Sequence, residues 1–141
     1  MKVTLLLADS AQVVNNKLYI LGGGWSVTGP QPSPIAIAVK IEVPWDQTNR
    51  PHTLRLELVD QDGKPVKLKT QEGDREIVAE SNFEVGRPPG IPQGTPIDIS
   101  LAFNFQPLPI PPGGRYTWQL FIDDETREGW EASFSTRRAK T

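Results

Sequence analysis

Gly22-Gly23-Gly24-Trp25 is the segment that comes nearest to a phosphate-binding loop. Glycine-rich loops cradle phosphate when their N–H groups converge and a helix N-terminus follows. Here Trp25-Ser26-Val27-Thr28-Gly29-Pro30 follows, which is strand-like and closes on a proline. The Lys-Ser/Thr of a P-loop and the spacing of a dinucleotide fingerprint are both missing. The three glycines read instead as a bulge or a corner between sheets, where side chains would collide. Asp60-Gln61-Asp62-Gly63 has half the look of a calcium loop. The twelfth position from Asp60, where an EF-hand needs a bidentate Glu, is Gln71. Sandwich proteins can instead gather carboxylates from several loops at one end, which makes Asp60, Asp62, Asp123 and Asp124 the calcium candidates. Acidic residues also favour hairpin turns for conformational reasons, and no metal or other cofactor is expected.

Nucleophilic catalysis would have to use His52, the single imidazole, as its base. None of the serines sits in a Gly-x-Ser-x-Gly elbow, and His52, after Arg50-Pro51, reads as an exposed residue where a strand begins. Two-carboxylate glycoside hydrolysis needs a cleft that a small sandwich has little material to build. The expectation is a protein without enzymatic activity. Aromatic residues suggest binding instead. Trp118 and Trp130 fall on apolar stripes and read as core. Trp25 and Trp45 follow glycine and proline and are free to form a platform for a sugar or a peptide. Phe121 opposes Trp118 and Leu120, and Leu6 opposes Leu5 and Leu7, so both point away from the core. Large apolar residues on an outer face imply a covering layer, from a loop or from a neighbouring subunit.

The elements that must hold these residues are strands. From Ile97 to Phe105 the odd positions are Ile97, Ile99, Leu101, Phe103 and Phe105, against Asp98, Ser100, Ala102 and Asn104. Period two places the five large side chains on one face. Ile35 to Val43 repeats this against Ala36, Ala38, Lys40 and Glu42, and Leu54, Leu56 and Leu58 alternate with Arg55 and Glu57. Tyr116, Trp118, Leu120 and Ile122 form another stripe, as do Trp130, Ala132 and Phe134, with a weaker one along Ile77, Ala79, Phe83 and Val85. No apolar repeat of helical period lasts three turns. Asn15-Asn16 suits a two-residue hairpin turn, and Asp60–Gly63 and Asp123–Glu125 provide further turns. A short helical turn is expected around Asp9 to Gln12. Gly86 to Pro96 holds four Pro and three Gly, and Gln106 to Gly114 four Pro and two Gly, so both are extended crossovers. The predicted fold is an all-β, two-sheet antiparallel sandwich of about eight strands, forming a single domain over residues 1–141.

Composition narrows the function further. Fifteen Lys+Arg against 17 Asp+Glu give a net charge of −2, with no basic stripe for nucleic acid. Cysteine is absent, which removes disulfides and thiolate chemistry. No apolar run is long enough for a transmembrane helix or a signal-peptide core. The expected location is the cytoplasm, or a particle assembled there. Arg137-Arg138-Ala139-Lys140-Thr141 reads as a solvated basic terminus. The expectation is thus a structural or protein-interaction module that self-associates or binds another protein, with Trp25, Trp45, Phe121 and Leu6 as contact residues. The alternative is a sandwich that binds a carbohydrate or peptide through its loop tryptophans.

Three stretches together resemble an uncharacterised family of small bacterial proteins of unknown function. They are Leu7-Ala8-Asp9 leading into Lys17-Leu18-Tyr19-Ile20-Leu21-Gly22, the run Leu56 to Gly63, and Pro112-Gly113-Gly114-Arg115-Tyr116 through Ile122-Asp123. The resemblance implies an immunoglobulin-like or related β-sandwich, and it brings no activity, cofactor or catalytic residue with it.

Overall fold

The computed structural model describes residues 1–139, so Lys140 and Thr141 of the basic terminus lie outside the described residues. Twelve strands follow one another: β1 (Lys2–Ala8), β2 (Ser10–Val14), β3 (Lys17–Leu21), β4 (Val27–Thr28), β5 (Ile35–Val43), β6 (His52–Asp60), β7 (Lys67–Thr70), β8 (Gly73–Glu76), β9 (Val78–Phe83), β10 (Ile97–Phe105), β11 (Arg115–Ile122) and β12 (Glu131–Thr136). A single 3-10 turn, Trp45–Gln47, is the one helical element among the described residues. They assemble into four sheets: β1-β5-β10, β4-β12-β11-β6-β9, and the two hairpins β2-β3 and β7-β8. Pairing is antiparallel except between β4 and β12, where Val27 and Thr28 run parallel to Ser135 and Thr136. The all-β expectation holds. The simpler picture of about eight strands in two antiparallel sheets does not account for the two hairpins or the mixed sheet.

The core joins the two larger sheets. Ile37, Val39, Ile41 and Val43 from β5 meet Leu54, Leu56 and Leu58 from β6 and Trp118 and Leu120 from β11, each at most 1% exposed. Phe105 stacks on Trp118 with ring centroids 4.8 Å apart. These are the positions picked out by period two. Fully burying each such aliphatic side chain contributes about 1.5–3 kcal/mol.

The outer face of β5 is also covered. Ala36 and Ala38 are 0% and 2% exposed, and with Ala8 and Ala11 they form a second cluster against Leu18, Ile20 and Ala102. The β2-β3 hairpin is that cover. Small side chains on the sheet let the hairpin approach closely, and side-chain amides fix it there. Asn104 accepts from Ala11 N–H at 3.2 Å and donates to Ala11 C=O at 2.9 Å. Asn16 donates to Asp98 C=O and accepts from Ser100 N–H. The helical turn expected over Asp9–Gln12 is therefore corrected to strand: Asn104 offers Ala11 the donor and acceptor that a neighbouring strand would. The Asn15-Asn16 turn forms as expected, with φ of 51° and 57°, the left-handed pair that a two-residue hairpin needs. No helix of the described residues is long and apolar enough to cross a membrane.

Candidate functional site

His52 is the clearest departure from expectation. It is 3% exposed rather than open to solvent. The tight turn after β11 explains why. Asp123 and Asp124 take φ of 51° and 63°, which swings the Asp123 carboxylate over the start of β6. There its Oδ2 lies 2.7 Å from His52 Nδ1 and its Oδ1 accepts from Thr53 N–H at 3.0 Å. His52 Nε2 lies 2.8 Å from the Gln47 carbonyl, and the ring stacks on Phe83 at 5.1 Å. Both partners are acceptors, so a neutral imidazole donates to one of them and an imidazolium to both. Burial disfavours the Asp123 carboxylate, but the His52 and Thr53 hydrogen bonds outweigh it and hold the carboxyl below its usual range. The cluster ties the loop before β6 to the turn after β11. Both ring nitrogens thus face acceptors, the Asp123 carboxylate and the Gln47 carbonyl, rather than a hydroxyl.

The other acidic candidates also have local work. Asp60 Oδ1 accepts from Asp62 N–H at 2.9 Å and Lys64 N–H at 3.0 Å, closing its own turn. Asp124 bonds Arg55 at 2.8 Å, and Glu57 takes the other side of the same guanidinium at 2.7 Å. Those two hydrogen bonds, from Asp124 first and then Glu57, push the Arg55 pKa up. No group of three or more His, Asp or Glu among the described residues could hold a metal ion. The calcium candidates thus divide between two turns, each bonded within its own neighbourhood.

The predicted contact residues are scattered. Trp25 packs edge-on to Phe134 at 5.8 Å, and its indole N–H is buried without a hydrogen-bond partner. Trp45 lies under the Arg87 guanidinium at 4.1 Å, while Arg87 also bonds Trp45 C=O and Thr48 Oγ1. Phe121 sits on the outer face of the five-stranded sheet beneath Arg55 at 4.5 Å. A groove of about 300 Å³ opens beside it, lined by Arg55, Glu80, Asn82 and Asp124. Leu6 is 38% exposed at the opposite side of the molecule's core, on the outer face of β1. Leu6 and Ile20 both close on Gly23, where an added Cβ would lie 3.2 Å from Leu6 Cδ2 and 2.6 Å from Ile20 Cγ2. That contact is why the glycine corner has no side chain there, and Gly22, at φ +61°, makes the turn itself.

Sequence reasoning passed over the outer face of the hairpin. In the β2-β3 register, Ser10, Gln12 and Val14 pair with Leu21, Tyr19 and Lys17. These six point away from the sheet that the hairpin covers. Val14, Tyr19 and Leu21 are 48%, 55% and 71% exposed. The signal was present, because Val14, Tyr19 and Leu21 fall on the face opposite Ala11, Leu18 and Ile20 once the Asn15-Asn16 turn sets the register. No curated protein and no solved structure matches this chain. A family described as of unknown function, DUF6941, matches residues 3–132, and the chain belongs to that family.

Proposed function

We propose that the protein acts by contact, as a non-enzymatic, self-associating interaction module built on an immunoglobulin-like sandwich and working in the cytoplasm. Val14, Tyr19 and Leu21 carry this reading: three large apolar side chains left uncovered on one face of a hairpin whose other face packs on the sheet through Ala11, Leu18 and Ile20. Exposed apolar patches of this kind mark interaction surfaces. Two features support the immunoglobulin-like part. Residues of β1-β5-β10 share one core cluster with residues of β4-β12-β11-β6-β9, and Tyr116, at the start of β11, donates its hydroxyl to Pro111 C=O at 2.6 Å. A tyrosine bonded back across the corner before its strand is a hallmark of such sandwiches.

Light scattering on the purified chain between about 1 and 100 μM reads the association directly, since dimer population rises with concentration. A dimer or larger assembly that weakens at least about ten-fold in the Val14→Ser/Leu21→Ser variant is the expected result, about 1.4 kcal/mol of contact energy. A monomer across the whole range overturns the proposal. Recognition of a sugar or peptide is the second reading, and the groove beside Phe121 favours it over the two loop tryptophans, whose rings already rest on Phe134 and Arg87. Saturable chemical-shift changes at Arg55 and Phe121 on adding an oligosaccharide would support that reading.

A further inference from the structure

The open edge of β3 points to a specific way for two copies to join. The two-residue turn makes Val14 and Lys17 a hydrogen-bonded pair, so Gln12 with Tyr19 and Ser10 with Leu21 are also bonded pairs. The residues between them, Ala11 and Val13 on β2 and Leu18 and Ile20 on β3, aim their N–H and C=O groups outward. On β2 that outward set is answered at Ala11 by Asn104. On β3 no hydrogen bond from another described segment reaches the main chain of Leu18 or Ile20.

Several other sheet edges carry guards of the kinds that keep strands from pairing with neighbours. Asn16 clasps β10 at Asp98 and Ser100. On β1, Gly24 N–H bonds Leu7 C=O. Glu80 lies within β9, between Glu76 and Glu84, and the β7-β8 hairpin is charged along both strands. β3 has no proline and no acid, and its one charge, Lys17, stands at the turn.

We propose that β3 pairs antiparallel with β3 of a second copy across a two-fold axis, joining the hairpins into a four-stranded sheet; this rests on the self-association proposed above. The outward parity of Leu18 and Ile20 fixes the register. Leu18 of each copy exchanges N–H···O=C bonds with Ile20 of the other, which makes four bonds and puts the two Tyr19 residues face to face on the axis. Such a pair is of the non-bonded type, with Cα atoms about 4.5 Å apart. Shifting the two-fold axis to Ile20 would set Leu18 opposite Gly22, whose φ of +61° is not that of a strand. An interface of this symmetry is self-complementary, as a closed dimer requires. It also covers part of Tyr19, which is 55% exposed in the single chain.

The chain has no cysteine, so a single Tyr19→Cys substitution gives a clean register probe. A Cα separation of that size lies within the range a disulfide spans. Under mild oxidation the Tyr19→Cys protein is expected to form a covalent dimer at least ten times faster than Gln12→Cys, whose site is a full strand further from the axis on each side. Tyr19→Asp, at a position that is 55% exposed and with the fold of the variant checked by circular dichroism, should weaken the dimer at least ten-fold by setting two carboxylates against each other. If the unmodified chain is a dimer by light scattering but Tyr19→Cys cross-links no faster than Gln12→Cys, the β3 interface is wrong and self-association stands. If the unmodified chain is monomeric and neither variant cross-links, both fall.

Discussion

Replacing Asp123 with Asn removes one charge and leaves nearly everything else in place. Position 123 sits at φ +51°, which Asn tolerates as well as Asp does. An amide oxygen can still accept from Thr53 N–H, now bonded at 3.0 Å. What disappears is the ionised acceptor 2.7 Å from His52 Nδ1. Hydrogen bonds to charged groups contribute about 1.5–3 kcal/mol. The Asp123 side chain is 50% exposed, and screening by solvent reduces the expected loss to about 1–2 kcal/mol near neutral pH.

The pH dependence of that loss has a definite sign. Burial works against the Asp123 carboxylate, but the His52 hydrogen bond, the Thr53 N–H and the attraction of His52 and Arg50 hold its pKa below the ordinary 3.8. A carboxyl depressed by folding stabilises the native state above its unfolded pKa and ceases to do so as pH falls through the folded one. The gap between the parent protein and Asp123→Asn is therefore full near neutrality and closes in acid. Urea unfolding followed by tryptophan fluorescence, repeated from about pH 7 to about pH 2.5, measures the gap at each pH from the shift in midpoint at constant slope. A gap that stays constant through the acid range, or widens as pH falls, refutes the role assigned to this carboxylate.

Two further substitutions test the core and the cover. Trp118 is fully buried and its indole N–H has no acceptor, so Trp118→Phe should cost far less than the about 3–5 kcal/mol of Trp118→Ala, because losing an unpaired donor offsets part of the lost volume; equal losses in urea unfolding would contradict this. Asn16→Gly keeps the left-handed turn position but removes the clasp on β10, so the Ser100 amide, now bonded to Asn16 Oδ1 at 2.8 Å, should exchange about ten-fold faster or more while core amides in β5 stay unchanged.

Strands with a full apolar stripe were legible to the residue. Ile35–Val43 and Ile97–Phe105 begin and end where the alternation does, because large side chains at every second position share one face only on a pleated backbone. Segments held by distant partners were not legible. Ala8, Ala11 and Gln12 are compatible with helix or strand, and the choice is made by Asn104, 93 positions away from Ala11. His52 is buried by a carboxylate 71 positions along the chain, and nothing beside Arg50-Pro51 announces it. β7 and β8 carry alternating charges and no stripe, so only their mutual pairing defines them. The turn at Asp123-Asp124 was expected from its residue types, but its purpose in presenting a carboxylate to His52 depends on the β6-β11 register.

Side-chain size separates the two outer faces of this molecule. Where the hairpin lies on the sheet, the covered positions are alanines: Ala36, Ala38 and, at the margin, Ala102. Stacked sheets with ordinary side chains stand about 10 Å apart, and residues this small are what a closer layer requires. The hairpin's own outer face has the opposite character, with Val14, Tyr19 and Leu21 in place of small residues. A layer resting flat on that face would stand at the ordinary spacing that the tyrosine and the leucine set. A strand added in the plane of the hairpin instead approaches the main chain of Leu18 and Ile20 from the side and brings its own Tyr19 alongside the first. Under the β3 pairing proposed above, Tyr19 and Leu21 of the two copies would thus join into one continuous apolar face, so the edge and the face would serve the same association.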